Sequence, residues 1–265
     1  MITRVDCKGK AIFIELEGTH SIISTLGMTG WWYPSLQSLT QGGLDAGYYK
    51  KVIDTIAAAQ AHLRLSIMTV DDKRIDYVDP RNFGNFVIVY QNRFKTIRDS
   101  LGFDFLNQSA SEIKDAIEGD PFKLVKKTSR VGEFLIDQGV IAGLGNIYRA
   151  ETMYLAQISP LRTLESLTVD DRQSLLLAAQ LVLWTAYLGR GTLAYRVEDL
   201  KRFFSDELRE KLLRTLLIDQ TIASTREGVI QRHLVYGQKQ DLMGHDVISS
   251  SIGGRNCWWV PEVQK

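Results

Sequence analysis

The stretch DQGVIAGLGNIY, residues 137–148, packs glycines at 139, 143 and 145 and an asparagine at 146 into one short connection between two segments of helical periodicity. Glycine weakens a helix interior, so no continuous helix can run through this region, and the chain must turn here between two helices. Upstream, KTSRVGEFLIDQG carries apolar residues at helical spacing and reaches Gly139, a natural C-cap. Downstream, GNIYRAETMYLAQISP restarts with Asn146 as a cap candidate and ends before Pro160. Bare glycine backbone admits positive φ and lets another chain come close. At the restart, free N–H groups and the positive end of a helix face outward, which suits a phosphate. An ordinary helical hairpin with a Gly C-cap and an Asn N-cap fits the same residues, and local features alone leave both readings open.

The remaining pattern sets the fold class. KAIFIELEG (10–18) alternates, HSIISTLGMTGWWY (20–33) follows as a partner, and Gly18 marks a hairpin between them. HLRLSIMTV and GNFVIVYQ read as strands on either side of a loop, DYVDPRNFG. Residues 42–64 open with glycines and turn alanine-rich, an insertion with some helix. From about Ser100 the period becomes helical: SASEIKDAI starts a helix, and TVDDRQSLLLAAQLVLWTAYLGRG is the clearest one. The tail returns to strand-like pieces around Gly253 and Gly254, predicting a closing hairpin. The expectation is an α+β chain with a β-rich domain over 1–107, a helical domain over 108–234 and a terminal hairpin over 235–265.

Charge and cysteine content narrow the function classes. The 32 basic and 31 acidic residues give a net charge of +1, so any nucleic-acid surface must be local. Lys123, Lys126, Lys127 and Arg130 precede the turn and serve either as such a surface or as a solvated helix face. Cys7 and Cys257 stand far apart without a CxxC spacing, which speaks against a disulfide framework or a cysteine-rich zinc site. Neither a signal-peptide pattern nor an apolar run long enough for a bilayer is present, so the expectation is a soluble intracellular protein.

LIDQGVIAGLGNIYRAETMYLAQISPLR closely resembles the helix-two-turn-helix of the formamidopyrimidine-DNA glycosylase and endonuclease VIII family, which removes oxidised bases from DNA. The resemblance extends to VDCKGKAIFIEL, LGMTG, DPRNFG, LGFDFL, LGRGTL, LVYGQ and GGRNCWWVPEVQK in the family's order, leaving residues 34–64 and 195–232 poorly matched. It implies an N-terminal β-sandwich-like part, truncated here, and a helical part with DNA between them. It also implies a monomer acting without a cofactor on double-stranded DNA that carries damaged or abasic nucleotides. Asn146 looks like the residue that grips phosphate beside the lesion. Met28, Arg81 and Phe83 look like the trio that fills the space left by a flipped nucleotide, a step that costs a few kcal/mol of stacking. Without the motifs, Met28 and Phe83 would read as core residues of a sheet. Lys10 matches the family's lysine near the flipped nucleotide's phosphate, and Arg255 the arginine at the hairpin tip.

Two departures qualify the resemblance. Typical members hold the final hairpin with four cysteines, whereas KQDLMGHDVISSSIGGRNCWWVPEVQK offers Cys257 and His245, with Val260 and Val263 where the last pair would stand. One Cys and one His do not make a closed tetrahedral site, so no metal is expected. The hairpin then reads as a zincless finger packed by Trp258 and Trp259, and His245 as a surface loop residue. Second, the family's nucleophile is an N-terminal proline followed by a glutamate, but MITRVDCKGK aligns inside the family and no proline precedes Pro34. The expectation is that nucleophile and acid are missing. That leaves a late-starting or partial chain of a normal enzyme, a noncatalytic damaged-DNA-binding remnant, or weak abasic-site cleavage by another amine, with Lys10 the nearest candidate.

Overall fold

The computed structural model describes residues 1–33, 60–108, 112, 128–189, 195–196, 229–230 and 233–265. They fall into two compact units, Met1–Ser100 and Leu101–Lys265, so the division comes seven residues before the 107/108 boundary read from the sequence. The terminal hairpin lies in the second unit.

In the first unit, β1 (Ile2–Lys8), β2 (Ala11–Leu16), β3 (His20–Thr25) and β7 (Asn85–Tyr90) form an antiparallel sheet in the order β1-β2-β3-β7. β4 (Trp31–Tyr33), β5 (Leu63–Met68) and β6 (Arg74–Val78) form a second sheet in the order β4-β6-β5. The hairpin expected at Gly18 is present, and its φ of +103° is the reason glycine stands there. The alternation of β2 sends Phe13 to one face, where it meets Phe94 of α1 (Gln91–Ser100) edge-on at 5.4 Å. On the opposite face, Val5, Ile14, Ile22 and Ile88 stand in one cross-strand row. Ile14 and Ile22 are buried, while Val5 and Ile88 at the two ends are exposed.

The first three residues of the segment read as a loop, DYVDPRNFG, belong to a strand. Arg74–Val78 forms the central strand of the second sheet, pairing with both neighbours. Its alternation was hidden because Asp76 points inward among apolar neighbours and is held there by Ser66 Oγ at 2.6 Å and Arg74 Nε at 2.6 Å.

The second unit is built on α2 (Val131–Phe134), α3 (Asn146–Leu155) and α4 (Val169–Leu188). α4 starts as its sequence predicts: Thr168 and Asp171 form a reciprocal capping box, at 3.1 Å and 3.0 Å, with Arg162 on the same carboxylate at 2.9 Å. Its buried run from Leu175 to Leu183 packs with Met153, Tyr154 and Leu155 of α3 in one core. α2 is shorter than the periodicity suggested. It stops at Phe134 and is followed by turns rather than running on to Gly139, because the Gln138 side chain and the 102–103 segment engage the next backbone groups. β8 (Tyr195–Arg196) pairs with β9 (Val229–Ile230), so both ends of the unmatched 195–232 segment are brought together.

The expected closing hairpin is β10 (Ile248–Ile252) with β11 (Arg255–Trp259), joined through Gly253 and Gly254 at φ +60° and +70°. Both central residues are left-handed, which matches the twist of a two-residue hairpin. The helical parts expected in 42–64 and at SASEIKDAI, together with Lys50, Lys51, Lys123, Lys126 and Lys127, lie largely or wholly outside the described residues. Among the described residues, no helix is long and apolar enough to cross a membrane.

Candidate nucleic-acid interface

Two groups of site residues emerge, one in each unit. In the first unit, Met28 and Phe83 are 61% and 57% exposed, which rules out the reading of both as core. Asp79 presents them: its buried carboxylate accepts the Thr29 hydroxyl at 2.6 Å, the Gly84 N–H at 2.7 Å and the Arg81 N–H at 3.3 Å. Burial drives the Asp79 carboxyl up, yet the donors from Thr29, Gly84 and Arg81 outweigh it and hold the pKa below the usual carboxylate value. The two loops also touch through backbone, since a Cβ on Gly27 would stand 2.5 Å from the Phe83 carbonyl carbon. Beneath them the Tyr77 hydroxyl donates to Thr25 O at 3.3 Å. Burial and Asp79 push the Tyr77 phenol up to about 12, so it stays a donor. The Arg81 guanidinium lies over the Phe83 ring, 4.6 Å from its centre, in a cation–π pair. Thus Met28, Arg81 and Phe83 are brought together as an exposed ridge on a rigid polar base. Lys10 is exposed in the tight turn between β1 and β2, just after Gly9 at φ +58°.

In the second unit, the turn is tied internally by Gln138. Its Nε2 donates to Ile136 O at 3.0 Å and Leu144 O at 2.8 Å, and its Oε1 accepts from Gly143 N at 3.0 Å. Of the turn's three glycines, Gly143 alone is left-handed, at φ +96°. Gly145 is extended and serves as the N-cap of α3, correcting the placement of Asn146 there. Asn146 instead occupies the first helical position, because its side chain is engaged elsewhere. Nδ2 donates to Asn256 O at 3.0 Å, and Oδ1 accepts from Arg149 Nη2 at 2.6 Å. Asn256 follows the exposed Arg255 directly, so the turn and the hairpin tip share one surface.

Sequence reasoning missed the residues that hold this surface. Arg149 is fully buried, and Glu151 accepts the N–H groups of Leu234, Val235 and Tyr236 at 2.7, 3.0 and 2.9 Å. Burial pushes the Glu151 carboxyl up from its ordinary value, and these three donors oppose the push. The available signal was a charged pair, Arg149 and Glu151, inside a helix whose remaining residues are mostly apolar. Asp241 was also missed: it accepts the Tyr154 hydroxyl at 3.0 Å and the Met243 and His245 N–H groups at 2.9 Å each. His245, expected as a plain loop residue, places Nδ1 2.9 Å from the same carboxylate. Around the hairpin, Cys257 and Val260 are buried, Trp259 donates to Ser250 Oγ at 3.0 Å, and Trp258 packs on Tyr236 at 4.4 Å. Burial raises the Cys257 thiol to about 11, which keeps it protonated. Among the described residues no three His, Cys, Asp or Glu side chains are grouped to hold a metal.

Residues 1–86 match the family model described as the formamidopyrimidine-DNA glycosylase N-terminal domain, and residues 113–198 match that of the formamidopyrimidine-DNA glycosylase H2TH domain. A formamidopyrimidine-DNA glycosylase of Herpetosiphon aurantiacus is 28% identical over 200 residues, covering 75% of this chain and 64% of the relative. The chain thus spans a little under two thirds of that relative's length. The Pasteurella multocida counterpart is 28% identical over 264 residues, covering 97% of this chain and 80% of the relative. Among solved structures, the Lactococcus lactis enzyme bound non-covalently to DNA containing an abasic site aligns over 100% of this chain and 82% of its own. That alignment has a TM-score of 0.63 and 21% identity, a likeness of fold. Family models over residues 1–86 and 113–198, which together take in most of the chain, and a relative aligned over 97% of it lead to one conclusion: the chain belongs to the formamidopyrimidine-DNA glycosylase and endonuclease VIII family.

Proposed function

We propose that the chain binds double-stranded DNA carrying damaged or abasic nucleotides and acts in base-excision repair as a DNA glycosylase and abasic-site lyase. The observation that carries this reading is the 3.0 Å hydrogen bond from Asn146 Nδ2 to Asn256 O, which sets the helix-two-turn-helix beside the Arg255 hairpin tip. A phosphate on that surface would meet the N-terminal amides of α3 and the Arg255 guanidinium together. The exposed Met28, Arg81 and Phe83 suit the other half of the task. A thioether and a ring replace lost stacking, and a guanidinium hydrogen-bonds the orphaned base. The named relatives are formamidopyrimidine-DNA glycosylases, and the similar structures hold DNA with an abasic site or an oxidised pyrimidine, which supports the same substrate class.

Lyase chemistry requires an amine. Its lone pair attacks C1′ of the opened abasic sugar, and loss of water gives an imine, after which a proton leaves C2′ and the 3′ phosphate departs. Lys10, exposed in the turn between β1 and β2, is our candidate amine. The second reading is a noncatalytic damaged-DNA-binding protein, which the shared Asn146–Arg255 surface would serve equally well. Borohydride trapping on abasic-site duplex separates the two readings, since hydride reduces an imine to a stable secondary amine. An adduct that disappears in Lys10→Ala assigns the amine to Lys10. Retarded DNA without any adduct supports the binding module, and absence of both refutes the DNA reading.

A further inference from the structure

We propose that Arg149 is the positioning residue that joins the Gly143–Asn146 turn to the tip of the β10–β11 hairpin, so that Asn146 and Arg255 meet DNA as one preset pair. This rests on the DNA-binding reading above.

The Arg149 guanidinium is fully buried and reaches four oxygens on separate pieces of chain. Nη1 donates to Gly132 O of α2 at 2.9 Å and to Ile252 O, the last residue of β10, at 3.2 Å. Nη2 donates to the Asn146 amide oxygen at 2.6 Å and to Asn256 O of β11 at 3.4 Å. Ile252 pairs with Arg255 in the ladder, so the fork grips both strands at the base of the turn formed by Gly253 and Gly254. A two-stranded hairpin is marginal by itself, and its glycines give the tip no side chains with which to pack. The fork supplies the missing restraint at the place where the apolar anchors, Ile252 and Cys257, end.

The same contacts orient the Asn146 amide. With Oδ1 held by Arg149, Nδ2 must point toward the hairpin, where it meets Asn256 O and keeps a second hydrogen for a ligand. Among the described residues every one of these Arg149 bonds ends on an uncharged oxygen, and the nearby Glu133 carboxylate acts on the guanidinium only through space, beneath the surface where a phosphate would lie. Lysine cannot reproduce a planar fork that serves both strands and the turn at once.

The test uses the full chain with Arg149→Met and Arg149→Lys. Amide exchange is followed without DNA, and binding to a duplex bearing a tetrahydrofuran abasic analogue is measured across a salt series. Arg149→Met should speed exchange at Gly253–Asn256 while the amides of α4 stay protected. It should weaken binding about 10- to 100-fold, as expected for losing hydrogen bonds from a charged group. The slope of log affinity against log salt should fall by about 0.9, the share of one cationic phosphate contact. Arg149→Lys should give smaller changes in the same directions, and it decides the matter should Arg149→Met fail to fold. Wild-type exchange at the tip together with wild-type affinity in both variants would overturn the proposal. If the unaltered chain does not bind the duplex, the DNA reading fails separately, and tip exchange alone then upholds or overturns the clamp.

Discussion

The Thr29 hydroxyl donates to Asp79 Oδ1 at 2.6 Å, joining two loops separated by 50 residues, and through this bond the ridge of Met28, Arg81 and Phe83 acquires its shape. Asp79→Asn should therefore damage more than one contact. The neutral amide turns one acceptor into a donor facing the Thr29 hydroxyl or the Gly84 N–H. We expect a loss of about 2 to 3 kcal/mol of unfolding free energy, as for hydrogen bonds to a buried charge, measured by urea titration. A change within error would show that the ridge does not depend on Asp79.

Stability should also follow pH in a direction set by these groups. Asp79, Asp171 and Asp241 have folded pKa values below their unfolded values, because donated hydrogen bonds outweigh burial. Their contribution is therefore present above about pH 4, the ordinary carboxylate range, and lost as pH falls through the lower folded values. Glu151 runs the other way: its raised folded value means that its contribution is lost as pH rises through that value. Unfolding free energy should thus fall below about pH 4, and Asp79→Asn should flatten that fall. An equally steep fall in the variant would contradict the assignment.

The ridge should separate binding from stability. Met28 and Phe83 are largely exposed, so Met28→Ala and Phe83→Ala should leave the melting temperature nearly unchanged while weakening binding to an abasic duplex about 10-fold each. Phe13→Ala, which removes a buried ring packed edge-on against Phe94, should instead cost about 3 to 5 kcal/mol of stability. Melting curves and gel retardation on the same preparations make the comparison.

The loop before the hairpin offers a test by metal removal. Asp241 gathers Tyr154, Met243 and His245, and among the described residues no three His, Cys, Asp or Glu side chains are grouped to hold a metal. Chelator should leave DNA binding unchanged, whereas Asp241→Ala should lower stability by about 2 to 4 kcal/mol, since it strands a buried tyrosine hydroxyl and two amides. Loss of binding in chelator would require a metal site beyond the described residues.

The sequence made some of this legible and hid the rest for physical reasons. The Gly18 hairpin, the helix opened by TVDDRQ and the Gly253–Gly254 turn were readable because each depends on a local pattern or backbone requirement. Arg74–Val78 was not, because inward Asp76 breaks the alternation and its partners, Ser66 and Arg74, can be recognised only once the strands pair. Asn146 was singled out by its motif but misplaced as a cap, since its bond to Asn256 spans 110 residues and no local rule contains it. Arg149 escaped for the same reason: its partners are mostly backbone oxygens distant in sequence, which leave no trace in residue identity. Asp79 escaped because the Thr29 hydroxyl that it binds lies 50 residues away.

The most direct test of the whole account is the salt dependence of binding to a duplex with a tetrahydrofuran site, compared among the unaltered chain, Arg255→Glu, Asn146→Asp and Lys51→Glu. If the turn and the hairpin tip form one phosphate-binding surface, Arg255→Glu and Asn146→Asp should each weaken binding at least about 10-fold. The slope against log salt should drop by about 1 for Arg255→Glu, and Lys51→Glu should change little. Equal losses in all three variants, or none, would contradict the account.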